Sequence, residues 1–267
     1  FIDHKIKNLL IQNTDNIFTK TSTQKLLMNF ISPNTPYNSI LLWHGVGTGK
    51  TCSAISIAEQ FKNQMIFFKK KILIILPGSL LKDNWINEIF NVKKQLDNDM
   101  KSVQCTENKY LNYFINLKDK YIIEQEKEKK YFSQAEIENM TLVEIKRKLK
   151  DKNIPDTQLK EELYKQQYKK LLKYLNNQMK KYIEEFYEIT TYQKITNILK
   201  DKLFYKTEKE KIDYIQNHYS NRLIIMDEIH GQNDVKMDKL ANNYLELICR
   251  YGNNNKLILL SATPIRD

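Results

Sequence analysis

Cysteine is scarce in this sequence, and it contains no long apolar run. The three cysteines, Cys52, Cys105 and Cys249, stand far apart without a Cys-x-x-Cys pair, so the sequence predicts neither a zinc site nor a disulfide framework. We therefore expect an intracellular, reducing environment. No apolar run approaches the roughly 20 residues that span a bilayer, and the N-terminus lacks a signal-peptide pattern, so we expect no membrane contact.

Arginine is also scarce. Lysine and arginine together number 43 against 32 acidic residues, for a net charge of +11, yet the only arginines are Arg147, Arg222, Arg250 and Arg266. A basic surplus favours polyanionic partners through long-range attraction. A composition rich in lysine and asparagine is also typical of an AT-rich genome. The charge alone therefore leaves both a solvated lysine surface and a nucleic-acid-binding surface open.

Strand-like and helix-like segments alternate along most of the chain. Hydrophobic residues make up 41% of the 267 residues, enough for one large domain with a core. The strand-like segments are Ser39–Trp43, Ile72–Leu76, Tyr187–Thr191, Leu223–Met226 and residues 257–260. Helical patterns cover residues 51–61, 80–90 and 237–250. The alternation predicts an α/β fold, with a parallel sheet covered by helices on both faces.

Residues 117–182 break this alternation and divide the α/β domain into residues 1–116 and 183–267. They are rich in Lys, Glu, Gln and Tyr, and their apolar residues have helical spacing, which predicts a helical insertion. Within the insertion, residues 140–163 resemble a SAP motif, a short helix–turn–helix that binds the DNA backbone, although its usual turn glycine is missing. A plain amphipathic helical hairpin is the alternative interpretation.

A glycine-rich segment follows the first predicted strand directly and leads into a helix. Its residues are all candidates for nucleotide binding: His44, Gly45, Val46, Gly47, Thr48, Gly49, Lys50 and Thr51. In such a strand–turn–helix unit, backbone amides and the helix N-terminus bind phosphate groups. Lys50 would reach the β- and γ-phosphates of ATP and Thr51 would bind Mg²⁺, although His44 stands where the strict pattern has glycine.

An acidic pair, Asp227 and Glu228, follows the predicted strand Leu223–Met226 and precedes Ile229 and His230. Carboxylates at the carboxyl end of a parallel strand lie where such sheets bind ligands. Asp227 would hold Mg²⁺, and Glu228 would orient and deprotonate the attacking water. An Asp-Glu pair after a strand can also be a simple helix cap, so this interpretation depends on the phosphate-binding segment upstream.

A third segment, Ser261-Ala262-Thr263, follows the last predicted strand. The segments Gly47–Thr51, Asp227–His230 and Ser261–Thr263 resemble motifs I, II and III of superfamily 2 helicases, and they occur in the same order. The resemblance implies a RecA-like P-loop NTPase domain that hydrolyses ATP with Mg²⁺. It also implies that residues 261–263 couple hydrolysis to movement, and it implies the catalytic residues Lys50, Asp227, Glu228 and His230.

The resemblance extends beyond these three motifs. Gln24 stands where the superfamily has its adenine-reading glutamine, although it could also be a surface residue at the start of a helix. The segment Pro77-Gly78-Ser79, with Trp85 downstream, resembles motif Ia, and Thr191 falls in a segment like motif Ib. Both motifs contact the nucleic-acid backbone in the superfamily. Ordinary strand-to-helix turns are the alternative.

Residues 35–45 resemble the helicase-like ATPases of large nucleocytoplasmic DNA viruses, which include the small subunit of the poxvirus early transcription factor and the poxvirus nucleoside triphosphate phosphohydrolase I. This branch implies movement along DNA, partners such as RNA polymerase or other transcription proteins, and a location in the virion and the host cytoplasm. Three alternatives stay open: RNA as the track, the motor subunit of a restriction-type nuclease, and a non-catalytic docking module with a vestigial ATP site.

The sequence ends shortly after the third motif. In superfamily 2 a second RecA-like domain follows and supplies an arginine finger, and we find no motif of that domain here. We therefore expect the chain to be part of a longer protein. Because an arginine finger contributes about 10³- to 10⁵-fold in rate, we expect the chain alone to hydrolyse ATP very slowly.

Overall fold

Among the residues that the structure describes, five parallel strands form one sheet, and their order across the sheet differs from their order along the chain. They are β1 (Ser39–Trp43), β2 (Ile72–Leu76), β3 (Tyr187–Thr191), β4 (Leu223–Met226) and β5 (Lys256–Ser261), and the sheet order is β1-β5-β4-β2-β3. This computed structural model describes residues 20–43, 45, 47–97, 104–131, 156–229 and 239–262. Four strands have the predicted bounds, and β5 extends its prediction by one residue at each end.

Helices connect the strands. Within the described ranges they are α1 (Ser22–Phe30), α2 (Lys50–Phe67), α3 (Leu81–Ile89), α4 (Val92–Asp97), α5 (Leu111–Tyr131), α6 (Asp156–Phe186), α7 (Tyr192–Leu203), α8 (Glu208–Tyr219) and α9 (Lys239–Tyr251). The helix predicted over residues 51–61 continues six residues further, to Phe67. The fold is therefore α/β with a parallel sheet, as predicted.

The centre of the sheet is covered on both faces, because every residue of β2 and β4 is buried. Alternate residues of a strand point to opposite faces. On one face, Leu73 and Ile75 of β2 and Ile224 of β4 pack with buried residues of α7, α8 and α9. These contacts explain why β2 and β4 read as continuous apolar runs in the sequence. The edge strand β1 is also apolar, but most of its residues are exposed or half-buried.

The chain divides into two compact units. The first comprises residues 1–91, 103–107 and 182–267 and contains the sheet. The second comprises residues 92–102 and 108–181, and its described part is helical. In the second unit the rings of Tyr121 and Tyr174 lie 4.8 Å apart between centroids, which joins α5 to α6.

The SAP-like interpretation of residues 140–163 stays a prediction, because residues 132–155 lie outside the described residues. The boundaries predicted for the insertion, 117–182, likewise stay a prediction. Among the helices that the structure describes, none combines the length and apolar composition needed to cross a membrane.

Candidate nucleotide-binding site

The carboxyl ends of the five strands bring the predicted motifs to one edge of the sheet. Across that edge lie, in order, the phosphate loop after β1, Ser261 and Ala262 at β5, Asp227 after β4, Pro77-Gly78-Ser79 after β2, and Thr191 at β3. The acidic pair and motif III follow the phosphate loop by more than 170 residues in the chain, yet they occupy the next two strands in space. Parallel α/β sheets bind their ligands outside this edge.

Two glycines give the phosphate loop its shape. Gly47 and Gly49 have φ angles of +78° and +84°, which side chains of L-residues rarely tolerate. The Thr48 hydroxyl donates a hydrogen bond to the carbonyl of Gly45 at 2.8 Å and closes the turn. Helix α2 then begins at Lys50 with no side-chain hydrogen bond to cap it. Such a helix N-terminus is suited to bind a phosphate group.

Lys50 and Glu228 form an ion pair at this edge. The Lys50 Nζ lies 4.0 Å from the Glu228 Oε1, and the lysine side chain is only 10% exposed. The backbone of Glu228 has a φ of +50°, an uncommon value for a residue with a side chain. Uncommon backbone conformations often occur at functional sites. The structure thus brings together the predicted phosphate-binding cation and the predicted base.

Asp227 is buried beside this pair and is held by several hydrogen bonds. The indole Nε1 of Trp85 donates to its Oδ2 at 3.0 Å, and its backbone N–H donates to the carbonyl of Ile75 at 2.9 Å. The hydroxyl of Tyr192 donates to its main-chain carbonyl at 3.0 Å. Burial raises the pKa of the Asp227 carboxyl, while the bond from Trp85 and the charge of Lys50 oppose that rise.

The residues at this edge suit a magnesium ion that is bound mainly by phosphate groups and water. Within the described ranges, no group of three or more His, Cys, Asp or Glu side chains could hold a metal ion. Mg²⁺ needs no such group, because it is commonly bound through one or two carboxylates together with substrate phosphates. Asp227 and the hydroxyl of Thr51, in the first turn of α2, supply oxygen atoms of this kind.

Gln24 lies next to the phosphate loop, on a helix that its own side chain helps to cap. Its Oε1 accepts from the backbone N–H of Thr21 at 3.0 Å, and the Thr21 hydroxyl accepts from the N–H of Gln24 at 3.2 Å. Its Nε2 lies 3.7 Å from the position that a Cβ would occupy on Gly49. The capping box therefore uses the amide oxygen and leaves the amide nitrogen facing the loop.

The predicted nucleic-acid contacts lie further along the same edge. Pro77 and Ser79 are exposed at the turn between β2 and α3, and Gly78 is half-buried between them. Thr191 ends β3 and caps α7, where its hydroxyl accepts from the N–H of Lys194 at 3.2 Å. Four other predicted site residues lie outside the described residues: His44, Val46, His230 and Thr263.

The contacts of Trp85 and Tyr192 with Asp227 were not predicted. The sequence placed Trp85 only in the segment that resembles motif Ia. Tyr192 follows the predicted Thr191, but no spacing rule links either aromatic residue to the acidic pair. The tryptophan and the aspartate are separated by 142 residues and meet only because β2 and β4 are neighbours in the sheet.

One prediction from composition is wrong. The structure joins Cys52 to Cys105 by a disulfide, with their Cα atoms 5.1 Å apart, although 53 residues separate them. The first turn of α2 and residues 104–107 belong to the same unit, which the sequence spacing of the cysteines could not reveal. Cys249 is free.

A parallel sheet that carries a phosphate loop, an Asp-Glu pair and a Ser-Ala dipeptide at one edge defines a RecA-like P-loop NTPase domain of the helicase type. Residues 10–266 match the family described as type III restriction enzyme, res subunit, and the chain belongs to this family. The predicted membership in superfamily 2 and the resemblance to helicase-like ATPases of large DNA viruses are therefore confirmed.

The chain is similar to several viral proteins. Two proteins of Acanthamoeba polyphaga mimivirus, named as candidate ATP-dependent RNA helicases, are 30% and 28% identical to it over 94% and 91% of its length. An early transcription factor large subunit homologue of African swine fever virus is 47% identical over 47 residues, 18% of this chain and 4% of that protein. The chain spans only 18% and 30% of the two mimivirus proteins.

Proposed function

We propose that the chain binds Mg·ATP and hydrolyses it as the first motor domain of an ATPase that moves along DNA. The observation that carries this proposal is the meeting of Lys50, Asp227 and Glu228 at the carboxyl edge of the sheet. Each supplies one of the groups that phosphoryl transfer to water requires: a phosphate-binding cation, a metal-binding carboxylate and a base. A docking module with a vestigial site would have no need to keep all three together.

The reaction assigns one role to each group. Lys50 binds the β- and γ-phosphates, and Thr51 and Asp227 hold Mg²⁺, which neutralises charge on the phosphate oxygens. Glu228 accepts a proton from the attacking water as its oxygen bonds to the γ-phosphorus, and the bond to the bridging oxygen of ADP breaks. Gln24 has its amide nitrogen next to the loop, where it would donate to N7 of a purine base.

The nucleic acid binds along the part of the edge formed by β2 and β3. Pro77-Gly78-Ser79 and Thr191 offer backbone amides and hydroxyls there, groups that position a phosphate backbone without reading its sequence. The net charge of +11 favours such a partner. The name of the African swine fever virus relative supports a role in transcription. We propose DNA as the track, and polymerase or other transcription proteins as partners in the virion and host cytoplasm.

The catalytic arginine comes from outside the described residues. Arg222 lies just before β4, at the opposite end of the strand from Asp227, and it contacts Glu188 and the carbonyl of Lys71. Arg250 is exposed and pairs with Glu246 at 2.7 Å. Neither lies at the carboxyl edge, so we propose that a second RecA-like domain supplies the finger.

The direct test compares ATP turnover by a full-length form of the protein with single-stranded DNA, duplex DNA and RNA of equal length. Stimulation by DNA above that by RNA supports the proposed track. Stimulation by RNA alone would overturn DNA as the track but keep the motor. The absence of both nucleotide binding and turnover would favour a docking module.

A further inference from the structure

Two buried aromatic side chains hold Asp227 from two different helices. Trp85 and Tyr192 are each only 3% exposed. The first donates to the carboxylate of Asp227 and the second to its main-chain carbonyl, both at 3.0 Å. The side chain and the backbone of one residue are thereby held separately, so that neither can shift without breaking a buried hydrogen bond.

The two helices that supply these side chains start at the predicted nucleic-acid contacts. Trp85 lies on the buried face of α3, one turn after the segment Pro77-Gly78-Ser79 leads into that helix. Tyr192 is the first residue of α7 and directly follows Thr191. A third bond, from the N–H of Asp227 to Ile75, joins it to the strand that precedes α3.

We propose that Trp85 and Tyr192 are positioning residues that couple nucleic-acid binding to the metal site by clamping Asp227. This inference rests on the proposed function. A backbone phosphate bound at residues 77–79 and 191 steadies the starts of α3 and α7. When these helices move less, the hydrogen-bond donors of Trp85 and Tyr192 keep their positions, and they in turn hold the metal-binding carboxylate of Asp227 in place. Nucleic acid and Mg·nucleotide then strengthen each other's binding, as linkage requires.

The chemistry of the two side chains explains why these residue types occur. The indole has a single N–H donor on a large apolar ring, so it can bond to a buried carboxylate while filling the core around it. Tyrosine likewise combines an apolar ring with one hydroxyl. Phenylalanine at position 192 would keep the ring and lose the donor, whereas at position 85 it would lose the donor together with part of the volume of the indole. Tyr192→Phe therefore isolates its hydrogen bond, and the effect of Trp85→Phe on Mg²⁺ binding is compared with its effect on thermal unfolding.

Each variant has a matched control in the chain. Trp43→Phe makes the same change at the other tryptophan, which is 59% exposed. Tyr219→Phe removes a hydroxyl from a buried tyrosine in the same core cluster as Tyr192. Calorimetry should measure binding of ADP across a range of Mg²⁺ concentrations, with and without a single-stranded DNA oligonucleotide, alongside thermal unfolding of every variant.

Trp85 bonds to a charged carboxylate, so Trp85→Phe should raise the half-saturating Mg²⁺ concentration by about 10- to 100-fold. Tyr192 bonds to a neutral main-chain carbonyl, so Tyr192→Phe should raise that concentration by only about 3- to 10-fold. In both variants the factor by which DNA tightens nucleotide binding should fall toward one, while binding of ADP without Mg²⁺ stays unchanged. Trp43→Phe and Tyr219→Phe should behave as the unaltered chain.

The outcomes separate this inference from the proposed function. If the unaltered chain fails to bind Mg·ADP, the proposed function is wrong. If it binds, but the two variants match their controls in Mg²⁺ dependence and DNA coupling and differ only in melting temperature, the clamp is merely structural and the inference is overturned. Should Trp85→Phe fail to fold, Tyr192→Phe decides the question alone, because it keeps the ring in place.

Discussion

Lys50 and Glu228 pair with each other across the site, with the Nζ 4.0 Å from the Oε1. Before nucleotide binds, the cation that would meet the phosphates is therefore occupied by the proposed base. A bound γ-phosphate would compete with this carboxylate for Lys50 and release it to contact water. On the proposed function, the pair would thus link nucleotide binding to exposure of the base.

Replacing Glu228 with Gln should cut turnover of a full-length form of the protein by about 10²- to 10⁴-fold, because the amide can orient water but cannot accept its proton. ATP binding should persist or become slightly tighter, since Lys50 loses a competing anion. Glu208→Gln, which alters an exposed residue of α8, is the control. Near-normal turnover in Glu228→Gln would show that another group is the base.

Replacing Gln24 with Glu should weaken the binding of ATP and of GTP alike, without loosening α1. Glutamate keeps the oxygen that accepts from Thr21 and so preserves the capping box, but it lacks the amide N–H groups that face the loop. Affinities for ATP and GTP, measured alongside thermal stability, check this. Unchanged affinities for both nucleotides would show that Gln24 acts only as a capping residue.

Reduction of the Cys52–Cys105 disulfide should lower the free energy of unfolding. For a loop of 53 residues, the loss of loop-closure entropy amounts to about 4 kcal/mol as an upper estimate. Urea unfolding with and without reductant measures the difference, and Cys105→Ser should match the reduced chain. Cys249→Ser, at the free cysteine, should leave the oxidised chain unchanged. Finding three reactive thiols in the unreduced, unfolded chain would contradict the pairing.

The 267-residue chain alone should hydrolyse ATP very slowly, even with DNA present. A longer form that carries a second RecA-like domain should be faster by about 10³- to 10⁵-fold, because an arginine finger would offset the charge that develops on the γ-phosphate. Turnover per site, measured for both forms at the same salt and DNA concentrations, tests this. Equal rates would mean that the chain carries its own finger.

The centre of the sheet could be predicted from the sequence because β2 and β4 are buried on both faces. Ile72–Leu76 is apolar throughout, and only a strand covered on both sides reads this way within an alternating pattern. The phosphate loop was also predictable, since Gly47 and Gly49 need positive φ angles and precede a helix. Both signals are local, and they depend on neighbouring residues in the chain.

Contacts between distant segments could not be predicted. The order of strands across the sheet decides that Trp85 meets Asp227, and it decides that Lys50 meets Glu228. The helix and strand propensities of individual segments do not determine the order of strands across the sheet. The disulfide between Cys52 and Cys105 could not be predicted for the same reason. The two cysteines are far apart along the chain, whereas the fold brings residues 104–107 to the start of α2. The side chains that meet at this site, such as Lys50 and Glu228, come from segments that are far apart in the sequence.

The most direct test of the account is calorimetry of Mg·ATP binding to the unaltered chain, to Lys50→Ala and to Lys209→Ala, which removes an exposed lysine of α8. The account predicts that the unaltered chain and Lys209→Ala bind equally, and that Lys50→Ala binds at least about tenfold more weakly, because a charge-assisted bond to phosphate is lost. Equal affinity in all three would contradict the assignment of the phosphate loop, and with it the proposed motor.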